Sequence, residues 1–110
     1  RTTSSMSCSR NDVVLLPVPF TDLSSRKVRP AVVLGRVDRH GDLFIVPISS
    51  QLPNTDHLLA DWQAAGLNVP CGVKAQLATV EERLVVKTLG QLSVRDRQAL
   101  ESLLRGWLGL

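Results

Sequence analysis

The chain has no tyrosine, and its aromatic residues are limited to Phe20, Phe44, Trp62 and Trp107. So few rings do not make the aromatic platform on which a base-stacking RNA binder relies. No run of about 18 apolar residues occurs, so no membrane-spanning helix is expected. The N-terminus lacks the apolar stretch of an export signal, which leaves the cytoplasm as the expected compartment. There is no glycine-rich phosphate loop, no Gly-x-Ser-x-Gly elbow, no pair of neighbouring histidines and no His/Asp/Glu cluster at metal-ligand spacing. Metalloenzymes and nucleotide hydrolases are disfavoured on that ground, and neither a metal nor a cofactor is expected. Cys8 and Cys71 stand at no CxxC or metal spacing and read as two free thiols of a reducing cytosol.

What is present is an ordinary composition for one domain: 110 residues, 44% hydrophobic and 21% charged. A formal charge of +3 and a pI near 9.4 suit contact with an anionic partner. Residues 1–10 are rich in serine and are expected to be a disordered tail, with Met6 as the native start and 1–5 as an expression remnant. Residues 11–110 are expected to form the single domain.

The organising stretch is 12–34. Val13-Val14-Leu15-Leu16 and Ala31-Val32-Val33-Leu34 read as strands, the first extending to Phe20. Between them a polar loop ends in Arg26, Lys27 and Arg29. Two strands thus hold a short cationic loop at their mouth, where fixed backbone can aim charge at a phosphate. Pro17 and Pro19 point to a bend or an edge in the first strand, because proline cannot donate to a ladder. Further along, 35–42 reads as a hairpin turn into a strand over 43–48, giving an antiparallel meander of three strands. Residues 49–55 are loop by composition, and 56–67 fits either a helical stripe or a short strand at 57–60. Strands are expected at 73–80 and 84–89, the second ended by Gly90. Ser93 then opens a helix, with Asp96 placed for a capping box and Leu100, Leu103, Leu104, Trp107 and Leu108 on one face. Short strands with one terminal helix make the chain mainly β, in the manner of a small, strongly bent SH3-like barrel.

The reactions left open are those in which the substrate carries its own nucleophile. RNA is such a substrate, since its 2′-hydroxyl lies beside the scissile phosphate. Arg29 is the first candidate, because a guanidinium offers paired donors to phosphate oxygens as negative charge builds on phosphorus. Pro30 biases Arg29 to an extended backbone at the strand end. The alternative is a solvated surface arginine. His40 and His57 titrate near neutrality but read first as turn and strand residues.

The segments Asp12-Val13-Val14-Leu15, Pro19-Phe20-Thr21-Asp22 and Arg29-Pro30-Ala31-Val32-Val33-Leu34 resemble the opening of the MazF/PemK toxins of bacterial toxin–antitoxin pairs. Val46-Pro47-Ile48-Ser49-Ser50-Gln51, Ala65-Gly66-Leu67 and Leu89-Gly90-Gln91-Leu92-Ser93 continue the match in order. The resemblance implies the barrel fold, a strand followed by a helical turn over 61–65, and a type II toxin. It also implies a homodimer that cleaves single-stranded RNA as a metal-independent endoribonuclease and is silenced by a cognate antitoxin with a flexible acidic tail.

On this resemblance Arg29 and Ser49 are the catalytic pair, Ser49 replacing the threonine usual in the family. A serine keeps the hydroxyl but loses the methyl group that restricts its rotamer. Ser50 is an auxiliary candidate should the register slip by one. Some members carry an acidic residue on the strand matched by 73–79, where this chain has none. Asp22 is then the candidate base, and Lys74 a candidate source of positive charge. Arg26 and Lys27 are expected to contact the RNA backbone. Asn11-Asp12 stands for the family's Gly-Asp, a mild change because asparagine tolerates positive φ. Two rivals are non-catalytic proteins of the same fold: a gyrase-binding relative of CcdB, suggested by Trp107 near the C-terminus, and an inactive antitoxin- or RNA-binding relative.

Overall fold

A computed structural model of the chain describes residues 7–17, 27–37 and 41–110. Among these residues seven strands and one α-helix follow in the order β1 (Asp12–Pro17), β2 (Val28–Val37), β3 (Asp42–Ser49), β4 (His57–Leu58), β5 (Gly72–Val73), β6 (Ala78–Glu81), β7 (Lys87–Gln91) and α1 (Val94–Leu108). The sheet is antiparallel and ordered β4-β5-β3-β2-β1-β7, with β6 also pairing β3. The meander β1-β2-β3 is at its centre, as the sequence pattern leads one to expect. Among the described residues no ladder joins β7 to β4 or β6, so the barrel is not closed by hydrogen bonds.

Successive side chains on a strand point to opposite faces, and here both faces are covered. Val13, Val32, Val46 and Ile48 face Leu100 and Leu104 of α1, with Leu59, Ala65 and Leu67 from the segment after β4. Val14, Leu16, Ala31, Val33, Leu43 and Ile45 pack on the other face with Cys8 and Val85. Two covered faces account for the unbroken apolar runs of β1 and β2, which a half-exposed sheet would show as alternation. Trp107 packs against the first cluster, so its place in the helical stripe is a packing role.

Several elements depart from expectation, each for a local reason. Residues 7–10 belong to the folded body: Cys8 is buried, its N–H donates to the Glu82 carboxylate at 2.7 Å, and Arg36 bridges that carboxylate (2.6 Å) and the Cys8 carbonyl (3.0 Å). Residues 1–6 lie outside the described residues. β1 is not an edge strand, since it lies between β2 and β7. Its Pro17 is tolerated because pairing with β7 ends at Leu15, leaving no ladder on that side to interrupt. Pro19 lies outside the described residues.

The strand expected over 73–80 is broken into β5 and β6 opposite Pro47, which has no N–H to continue the ladder. There Lys74 N–H donates to the Pro47 carbonyl at 3.0 Å, and Ala75 N–H to the Asp56 carboxylate at 2.7 Å. Residues 82–84 form a 3₁₀ turn, and the strand expected over 84–89 is displaced to Lys87–Gln91 with Gly90 inside it. Gly90 is there because a Cβ would stand 2.8 Å from the Ala65 carbonyl oxygen.

The start of α1 ties the helix to the sheet. Ser93 caps it, accepting from Asp96 N–H at 3.1 Å. The reciprocal half of the capping box does not form. Asp96 is buried and gives its two carboxylate oxygens to the N–H groups of Ala60 (2.9 Å) and Asp61 (2.8 Å), closing the turn after β4. Asp61 in turn accepts from the Ser93 hydroxyl at 2.6 Å and from Nη2 and Nε of the Arg95 guanidinium at 2.6 and 3.1 Å.

Candidate active site

β1 ends, β2 begins and β3 ends at one end of the sheet. The β2–β3 register pairs Ala31 with Pro47, and two residues further along the same register sets Arg29 opposite Ser49. Across β1, Arg29 pairs with Leu16 and Pro30 with Leu15. Arg29 and Ser49 both line a cleft of about 290 Å³, with Ser50 beside them. Its apolar floor comes from Leu15, Pro30, Ile48 and Leu89, and its far wall from the loop between the turn after β4 and β5.

Arg29 is exposed and makes no hydrogen bond or ion pair with the described residues. No carboxylate or imidazole is among the described residues lining the cleft. A guanidinium held beside hydroxyls with no acid to neutralise it is an anion-binding arrangement, with its donors unspent. Ser49 is half-buried, and its Oγ accepts from Gln51 N–H at 3.0 Å. That bond takes a lone pair and fixes the side chain, so the hydroxyl proton stays available for an oxyanion.

The remaining candidates separate. Lys74 does not line the cleft, since its backbone is engaged with Pro47 on the far edge of β3. His57 sits in β4 opposite Val73 and is likewise outside the lining. Lys27 is exposed immediately before β2. Asp22, Arg26 and His40 lie outside the described residues. No group of three or more His, Cys, Asp or Glu side chains able to hold a metal occurs among the described residues.

A family model of PemK-like, MazF-like toxins of type II toxin–antitoxin systems matches residues 9–108. The chain belongs to that family. Among solved structures it is similar to an endoribonuclease in complex with its cognate antitoxin from a mycobacterial species, with 17% identity over 92% of each chain and a TM-score of 0.67. At that identity the likeness establishes the shared fold. No curated protein matches the chain.

Within this PemK-like chain two further observations bear on the site. Asn11 adopts φ 75°, so the asparagine standing for the family's glycine does take up a left-handed backbone. The loop wall, 66–71, is the part that sequence reasoning placed no chemistry on. Gly66 has φ 89°, and a Cβ there would stand 2.3 Å from the Leu89 carbonyl oxygen, so only glycine lets this loop lie on β7. Leu67 and Cys71 are buried anchors, and the Cys71 thiol donates to the Val69 carbonyl at 3.2 Å. Burial raises the pKa of that thiol, which keeps it protonated and makes it packing rather than a nucleophile. The Ala65-Gly66-Leu67 match hinted at the loop, but no local pattern says that it folds beside Arg29.

Proposed function

We propose that this toxin-family protein is an endoribonuclease that cleaves single-stranded RNA without a metal ion. The observation that carries the reading is the unneutralised Arg29 sharing one cleft with the Ser49 hydroxyl. The scissile phosphate takes the cleft beside both groups. The substrate's own 2′-oxygen attacks phosphorus, and the bond to the 5′-oxygen breaks, leaving a 2′,3′-cyclic phosphate and a 5′-hydroxyl. Arg29 donates paired hydrogen bonds to the phosphoryl oxygens, whose charge is greatest at the pentacoordinate stage, and Ser49 donates one more. The proton of the 2′-hydroxyl goes to a base, for which Asp22 is the candidate, and the leaving 5′-oxygen takes a proton from water. Arg26 and Lys27 contact flanking phosphates and set binding strength rather than sequence preference.

The mycobacterial relative was solved with its cognate antitoxin. By the same reading this chain acts in the cytoplasm as a homodimer and is silenced by an antitoxin whose acidic flexible tail occupies the RNA groove, both ligands being extended polyanions. The test is incubation with single-stranded RNA in excess chelator, followed by end-group analysis. Cutting that survives chelation and leaves cyclic phosphate ends is expected. RNA that is bound but stays intact points to the inactive relative, and cutting lost on chelation overturns the mechanism.

A further inference from the structure

The cleft places a second kind of chemistry next to Arg29 and Ser49. We propose that Asn68 is a specificity-determining residue: its side-chain amide reads the hydrogen-bonding edge of the base beside the scissile phosphate. This rests on the ribonuclease reading and adds the substrate preference of the same site.

Three observations carry it. Asn68 lines the cleft, is exposed, and its amide makes no hydrogen bond with the described residues. Its backbone is held in place: Gly66 lies against the Leu89 carbonyl, Leu67 N–H donates to Trp62 at 3.1 Å, and Leu67 and Cys71 are buried on either side. An amide presented by a fixed loop loses little freedom on binding, so its hydrogen bonds are realised as selectivity. Beside it Val69 is 49% exposed and continues the apolar floor of Pro30 and Leu89, a surface for the face of a base.

No aromatic ring is among the described residues lining the cleft, which leaves the edge of a base as the feature these residues can read. The other polar side chains of the described lining are a guanidinium and hydroxyls, which serve the phosphate mainly as donors. Among them the Asn68 amide is the group that sets a donor and an acceptor side by side. A base edge that presents a neighbouring donor and acceptor can meet both, as adenine does with asparagine, and the placement of that edge beside the phosphate decides which base is favoured.

The experiment measures kcat/KM on four oligoribonucleotides that differ at one nucleotide, with the position placed on each side of the scissile bond in turn. The parent protein is expected to discriminate among the four bases at one position. Asn68→Ala is expected to cut that preference about 10-fold, and Asn68→Gln, which keeps the amide, to retain part of it. A parent that cuts all four equally at both positions, or an unchanged preference in Asn68→Ala, overturns the role of Asn68 while leaving Arg29-dependent cutting in place. A folded Asn68→Ala that cuts none of the four assigns the residue to the phosphate and also overturns base selection. A parent that cuts no RNA at all removes the ribonuclease reading and this proposal with it.

Discussion

The molecule holds two arginine–serine pairs in opposite states. At the start of α1, Arg95 and Ser93 are both engaged by Asp61, and Asp96 beside them takes the Ala60 and Asp61 N–H groups. At the strand ends, Arg29 meets no acid among the described residues and Ser49 accepts one backbone hydrogen bond. The same two side chains close one part of the fold and leave another open to an anion. What separates them is the carboxylate, supplied at the helix start by the turn after β4 and absent from the described lining of the cleft. Satisfied groups rigidify, whereas a polar group held in place without a partner is free to bind.

That contrast can be broken at either end. The largest effect is expected from Arg29→Ala, which should slow RNA cutting by about 10²–10³-fold. Its melting temperature should stay close to that of the parent, because no described group loses a partner. Single-turnover cleavage beside a thermal melt reads both, and a folded variant with full activity removes Arg29 from the site. The mirror experiment is Asp96→Ala, which strands the Ala60 and Asp61 N–H groups. It should cost about 2–4 kcal/mol and lower Tm by roughly 10 °C or more, read by calorimetry. A Tm within a degree or two of the parent means that the turn does not depend on this carboxylate.

Ser49 supplies a smaller test. Ser49→Ala should reduce cutting by about 10-fold, the loss of one hydrogen bond to a charged group. Ser49→Thr installs the threonine that the resemblance leads one to expect here and should cut at least as fast as the parent, since the methyl group narrows the rotamers of the hydroxyl. A threonine variant slower than the alanine one would mean that the hydroxyl points away from the phosphate.

The smallest effect lies in the pH dependence of stability. Hydrogen bonds from Arg95, and then from Ser93, hold the Asp61 pKa below its ordinary 3.8. The carboxyl therefore contributes stability that is fully present above that value and is lost as pH falls through the lowered one. The Tm difference between the parent and Asp61→Asn should narrow as pH is taken below 3.8, and a difference constant down to strong acid counts against the pair.

The meander was legible because β1 and β2 are apolar at nearly every position, a signal that survives without knowledge of the partner strand. The helix was legible from Ser93 and the spacing of Leu100, Leu104 and Trp107. The division of 73–80 was not, because the interruption comes from Pro47, which is remote in sequence and acts only once β3 lies alongside. Gly90 read as a strand breaker, yet its missing side chain is used for a backbone contact with Ala65 that no local pattern announces. Cys8 read as part of a disordered tail for a related reason, since its anchors, Glu82 and Arg36, come from distant elements.

The sequence by itself determined the β class, the terminal helix, the toxin family and the Arg29-Pro30 strand entry, because each is written in neighbouring residues. Only the tertiary structure decided that Arg29 and Ser49 share one cleft, that Lys74 stands outside it, and that Asn68 stands inside. Sheet register carries side chains from distant segments to the same place, and register follows from which apolar faces bury together rather than from any short stretch of chain.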